Sequence, residues 1–174
     1  MYICAGEIEQ FSFAMPVGIG LVGAASNLTK ICIENKPESL IFVGTAGSYG
    51  KEKIFAIRES TTATNIENSF LLGDSYSPIP SIAESLGNVS RETIVNSSSY
   101  ITTSKKLSEK YLEKNINLES MEFYAVLYVA KKFNIPAKGI FIVTNYCDEH
   151  AHRDFMNNRK EAMDQIEIYI KENR

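Results

Sequence analysis

Two continuous apolar runs constrain this chain most: Leu40-Ile-Phe-Val43 and, a hundred residues later, Lys138-Gly-Ile-Phe-Ile-Val143. Neither alternates polar with apolar side chains. A strand that is apolar on both faces must be covered on both faces, the condition of a parallel sheet with helices packed above and below. The segments between these runs fit that layout. Leu21–Glu34 carries Leu21, Val22, Ala25, Leu28, Ile31 and Cys32 at spacings of three and four, which marks one face of a helix. Asn35-Lys36-Pro37 ends it, since proline cannot continue a helix. Met121–Phe133 repeats the pattern with Phe123, Val126, Leu127 and Ala130, and Arg153–Lys171 does so with Phe155, Met163, Ile166 and Ile170. Ser104 is placed to cap a helix over Lys105–Lys114. Shorter strands are predicted at Met1–Ala5, Phe11–Val17, within Lys53–Thr64, at Arg91–Asn96 and at Asn117–Glu119. Asn65–Asn88, rich in Ser, Pro and Gly, reads as a long excursion. Strands alternating with helices predict an α/β fold: a single domain over 1–174 with a mixed, mostly parallel central sheet flanked by helices.

Composition narrows the partners. A formal charge of -3, with Lys and Arg scattered, excludes a surface built to track phosphate backbones. No apolar stretch reaches the roughly 18 residues of a membrane span. Residues 12–25 are mildly apolar but contain Pro16, Gly18, Gly20 and Gly23, and Glu7 and Glu9 precede them where a secretory signal needs bases. Cys4, Cys32 and Cys147 form neither a disulfide framework nor a zinc pattern, so a reducing cytoplasm is expected. His150 and His152 lack further ligands at a fitting spacing, and no metal site is expected.

Loops at the carboxyl ends of strands meet in one crevice of an open α/β sheet. Gly44-Thr45-Ala46-Gly47 follows the first run and reads as a turn whose amides and Thr45 hydroxyl can hold an anion or a sugar hydroxyl. Glu119 and Glu122 stand at a helix start, where the macrodipole alone favours acids. A carboxylate there can also accept both hydroxyls of a vicinal diol. Asn145 closes the second run. It is a natural loop cap, yet its amide can donate and accept at once and would suit a ring nitrogen beside a carbonyl. Tyr100-Ile101, after a run of serines, offers an aromatic wall for a base.

In order and spacing these motifs resemble the nucleoside phosphorylase superfamily, which holds purine nucleoside phosphorylases and the nucleosidases that cleave methylthioadenosine and S-adenosylhomocysteine. The resemblance runs from Val17-Gly-Ile-Gly20 through Gly44–Gly47 and Ser97–Ile101, is clearest at Ser120-Met121-Glu122 and Asn134-Ile135-Pro136, and continues through Val143-Thr-Asn145 to Phe155. It implies that Met121 packs under a ribose and Glu122 takes its hydroxyls. Tyr100 and the Ile101 backbone would meet the base, with Ala46 and Gly47 in the wall. Thr45 would approach the ribosyl carbon or the nucleophile, and Asn145 would hold the purine near N7. The implied reaction breaks the N-glycosidic bond of a purine nucleoside. Phosphorolysis stands slightly ahead of hydrolysis, with phosphate as a possible co-substrate and no other cofactor, in a homo-oligomer. The alternative is a catalytically impaired purine- or nucleoside-binding protein of the same fold. Three departures mark the chain. Glu7 and Glu9 do not match the surroundings of the family's front motif, the family's arginine soon after the Gly-Thr-Ala-Gly segment is not evident (Lys51 and Lys53 are the nearest bases), and Asn145 stands where the family commonly has an acid.

Overall fold

The computed structural model describes residues 1–173. Among them nine strands form one sheet, and five helices flank it. The centre is a pair of long parallel strands, β3 (Leu40–Ser48) and β9 (Ala137–Tyr146), which are the two apolar runs of the sequence. Both extend further than their apolar residues predict. The largest correction is at Gly44-Thr45-Ala46-Gly47. These residues are not a turn. They continue β3, with Gly44 opposite Phe141 and Thr45 opposite Ile142, and the register shifts only between Ala46 and Gly47.

Side chains alternate across these strands into two cores. Phe42, Ala46, Phe141 and Val143 point to one face, against α1 (Gly20–Asn35) and α4 (Phe123–Lys132). Val43, Ile140 and Ile142 point to the other, against Ala162, Ile166 and Ile170 of α5 (Ala151–Glu172). Burial on both faces is the reason the runs are continuous. In α1 the buried stripe is Ala24, Leu28, Ile31 and Cys32, so Val22, expected on it, faces solvent. Lys36 ends that helix in a left-handed conformation, its N–H bonded to the Cys32 carbonyl. In α5 Ile166 and Ile170 are buried as expected, whereas Phe155 turns toward a cavity described below.

The remaining strands are short. β1 (Tyr2–Cys4) runs parallel to β3, pairing Tyr2 with Ile41 and Ile3 with Phe42. β2 is only Met15–Pro16, where a longer strand was predicted. β4 (Ile57–Ser60) is antiparallel to β9, and β5 (Thr62–Thr64) starts the other wing. The excursion after it holds a five-residue helix, α2 (Asn68–Leu72), with no buried residue, and β6 (Ile82–Glu84). Next come β7 (Ile94–Asn96), α3 (Lys105–Glu113) and β8 (Leu118–Glu119). Ser104 is the N-cap of α3 by position, though its side chain makes no capping bond.

One detail of pairing positions the site. β9 occupies one edge of β3 along its whole length. The other edge is shared: β1 covers Ile41 and Phe42, and β8 covers Gly47 and Ser48 in the antiparallel sense. Between them the two strands part, leaving Val43 to Ala46 without a strand neighbour on that side. A parting of strands on an open sheet makes a crevice, which is where such folds bind ligands. Among the described residues no helix is long and apolar enough to cross a membrane.

Candidate active site

The crevice is a cavity of about 270 Å³. Its walls come from the loop after β1 (Gly6, Ile8, Glu9), the end of β3 (Thr45, Ala46, Gly47) and the β8–α4 junction (Glu119, Ser120, Met121, Glu122). Thr144 and Asn145 of β9 and His152 and Phe155 of α5 close it. Ile101 lies at its edge. The structure therefore brings together seven of the eight residues singled out from the sequence: Thr45, Ala46, Gly47, Ile101, Met121, Glu122 and Asn145. Tyr100 is the exception. It is 72% exposed and lies outside the lining.

The residue that sequence reasoning left aside is Glu9. The parted strands leave the Thr45 N–H without a sheet partner, and the Glu9 carboxylate takes its place. The Thr45 N–H donates to Glu9 Oε2 at 3.1 Å and the Thr45 hydroxyl to Glu9 Oε1 at 2.6 Å. The anion held by the Gly-Thr-Ala-Gly segment is thus the protein's own carboxylate. Gly44 makes room for it: a Cβ there would sit 3.4 Å from Glu9 Oε2 and 3.0 Å from the Phe42 ring. Gly47 has a similar duty, since a Cβ would lie 2.7 Å from Cys147 Sγ and 3.2 Å from Asn145 Nδ2. These glycines serve close approach, not a left-handed turn, as neither has positive φ. A usable signal was present: an acid a few residues past a strand, in a chain whose next strand ends in a polar glycine-flanked stretch.

Glu122 faces the same space from the other side. It is the N-cap residue of α4. Its carboxylate, however, reaches the start of α1, where Oε1 accepts the Gly20 N–H at 2.9 Å. No side chain caps α1 locally, so an acid from a hundred residues away satisfies one of its free N–H groups, a position the macrodipole also favours. Oε2 accepts the Ser120 hydroxyl, at 3.2 Å. Burial pushes the Glu122 carboxyl up to about 7; bonds from Gly20, Ser120 and the Met121 backbone pull down, and the negative charge of Glu9 adds to the rise. Burial also raises Glu9, against the Thr45 bonds and the attraction of Arg159. Burial raises Glu119 as well, against its bonds from Thr102, Tyr49 and Cys147, and three raised acids around one cavity are a signature of a functional site.

Glu119, the other acid of the helix start, is arranged differently. It accepts the Thr102 N–H and hydroxyl, at 2.9 and 2.6 Å, and the Tyr49 hydroxyl at 2.8 Å. Asn145 is also partly engaged. Its Oδ1 accepts the Thr144 hydroxyl at 2.9 Å and its Nδ2 donates to the Tyr146 carbonyl at 3.0 Å. One N–H of the amide remains for a ligand. The cavity lining carries three glutamates and one histidine and, among the described residues, no lysine or arginine. Among these residues no group of three or more His, Cys, Asp and Glu gathers in a way that could hold a metal ion.

Solved structures that share this fold include MTA/SAH nucleosidases and futalosine hydrolases. A Helicobacter pylori MTAN with an aspartate-to-asparagine substitution and 5'-methylthioadenosine in its active site superposes with a TM-score of 0.74 at 19% identity, over 89% of this chain and 78% of that one. A mutant futalosine hydrolase from the same organism gives 0.77 at 16% identity, over 93% and 92%. The Streptococcus pneumoniae MTA/SAH nucleosidase with 8-aminoadenine gives 0.74 at 15%, over 94% and 93%. No protein-family model matches the chain, and no curated protein sequence does.

Proposed function

We propose that the protein binds a purine nucleoside in this cavity and cleaves its N-glycosidic bond with water. The observation that carries the reading is the pairing of Glu9 and Glu122 across one crevice that also holds Asn145. Glu122 has acceptor capacity left on both oxygens, which suits the two hydroxyls of a ribose; a site built for hydroxyls discriminates strongly against ligands that lack them. Met121 lies beside it as an apolar floor for the sugar. Glu9 keeps one lone-pair direction on each oxygen after Thr45, enough to hold a water and take its proton.

In the step itself, the C1'–N9 bond breaks and its electrons leave with the purine. The sugar becomes cationic, and both carboxylates stabilise that charge. Water oxygen then bonds to C1' and its proton passes to Glu9. Asn145 donates a hydrogen bond to the departing ring but has no proton to give, so the purine takes its proton from solvent.

The slight preference for phosphorolysis drawn from the sequence is replaced here by hydrolysis. A phosphate dianion would enter a space lined by three carboxylates and no lysine or arginine among the described residues. The neighbours in fold are nucleosidases and hydrolases. A second reading, nucleoside binding without cleavage, has one observation in its favour: an amide stands at Asn145, and general acid catalysis is typically worth about 10² to 10⁴ in rate.

The test is to incubate pure protein with inosine, adenosine and methylthioadenosine, with and without phosphate, and to separate the products. The expected result is free purine from at least one nucleoside at a rate indifferent to phosphate. Purine release that requires phosphate overturns hydrolysis. No release at high protein concentration, with binding by calorimetry, moves the protein to the second reading.

A further inference from the structure

One buried acid of the cavity wall that hydrolysis does not use is Glu119. It is 7% exposed and accepts bonds from three separate parts of the chain. The Thr102 N–H and hydroxyl donate at 2.9 and 2.6 Å, the Tyr49 hydroxyl at 2.8 Å, and the Cys147 thiol lies at 3.9 Å. No cation is among these partners. Each donor is one or two residues from a wall of the cavity: Thr102 follows Ile101, Tyr49 is two past Gly47, and Cys147 is two past Asn145. Glu119 itself is three residues before Glu122 and pairs with Gly47 across the β3–β8 ladder. The packing at this point is tight, because a Cβ on Gly47 would lie 2.7 Å from Cys147 Sγ and 3.2 Å from Asn145 Nδ2. Tyr49 also stacks on Tyr111, with ring centroids 4.2 Å apart, so the node is anchored in the core.

We propose that Glu119 is a positioning residue, whose carboxylate ties the loop of Ile101, the end of β3 and the end of β9 to the strand that presents Glu122, and so sets the shape of the nucleoside cavity. A carboxylate is suited to this because it only accepts. An amide in its place is neutral, and its NH₂ cannot pair with the Thr102 N–H and meets the Thr102 and Tyr49 hydroxyls only if they turn from donating to accepting, so charge-assisted bonds are lost and the donor network must reorient. The effect on ligand rests on the nucleoside reading above; the effect on the cavity wall does not.

The experiment compares wild type with Glu119→Gln, and with Tyr49→Phe as a milder variant that removes one donor and keeps the ring. Two quantities are read below the melting temperature: amide hydrogen exchange, residue by residue, and the affinity for inosine relative to free hypoxanthine. The expected result is exchange at residues 98–102 and 145–147 faster by roughly tenfold in Glu119→Gln, with Ile140 to Val143 unchanged. Tyr49→Phe should give the same pattern at smaller amplitude, which decides the matter if Glu119→Gln does not fold. Inosine should weaken about tenfold and hypoxanthine less. Exchange that rises evenly over the whole sheet, or does not change at all, overturns the proposal. If wild type binds no nucleoside, the proposed function fails while the exchange pattern still decides the role of Glu119.

Discussion

Glu119 and Glu122 stand three residues apart at one strand-to-helix junction, and both are buried, yet they are satisfied in opposite ways. Glu119 is surrounded by donors from three chain segments and has little capacity left. Glu122 has donors from Gly20 and from its own neighbours Ser120 and Met121, with another acid nearby, and burial raises its carboxyl to about 7. The lesson is that residue type and burial do not mark a ligand site. Unfilled hydrogen-bonding capacity aimed into a cavity does, because an unsatisfied buried acceptor is costly and a ligand can remove that cost.

The sharpest way to break this contrast is at Glu9, the acid opposite Glu122. Glu9→Gln keeps an acceptor for the Thr45 hydroxyl but cannot take a proton from water. The rate of purine release should fall by about 10² to 10⁴ while nucleoside affinity changes little. A parallel loss of affinity would place Glu9 in binding. Next in size is Glu122→Gln, which exchanges a charged acceptor for a neutral one. Inosine should bind about 10- to 100-fold more weakly, and hypoxanthine nearly as before. Third, Asn145→Asp restores a proton donor at the end of β9, and purine release should rise roughly tenfold or more at pH 6. An unchanged rate would mean that leaving-group protonation does not limit the reaction.

How far the sequence carried the site is visible in these same residues. The two apolar runs, the helices and the polar residues at strand ends were legible, because periodicity and strand termination are local properties. Thr45, Glu122 and Asn145 were found that way. Three things were not legible, each for a non-local reason. The Gly-Thr-Ala-Gly segment looks like a turn, but pairing with β9 on one edge holds it extended. Glu9 matters only because β1 and β8 part at Thr45, a fact of sheet register that no local pattern contains. Glu119 and Glu122 look equivalent in sequence, and only the tertiary donors separate them. Tyr100 shows the converse: an aromatic beside a polar run suggests a base platform, whereas its ring faces solvent.

Smaller effects sharpen the comparison further. A glutamate whose folded pKa is raised from an ordinary value near 4.3 to about 7 binds its proton more tightly folded than unfolded. Its share of stability is therefore full at acid pH, is lost as pH rises through this window, and is flat above it. Glu122→Gln should remove that slope, so the variant melts a few degrees above wild type at pH 8 and level with it near pH 4. Melting curves at several pH values check this; a wild type no less stable than the variant at pH 8 would show that Glu122 is not strained by its burial. The smallest effect belongs to Tyr100→Ala, which should change inosine affinity less than twofold, by calorimetry.

The most direct measurement is calorimetric titration of inosine and hypoxanthine at pH 8 into wild type and Glu122→Gln. Wild type should prefer the nucleoside over the free base by tenfold or more, and the variant should lose most of that preference. Equal preference in both proteins would mean that the ribose does not meet Glu122, and the crevice between Glu9 and Glu122 would not be a nucleoside site.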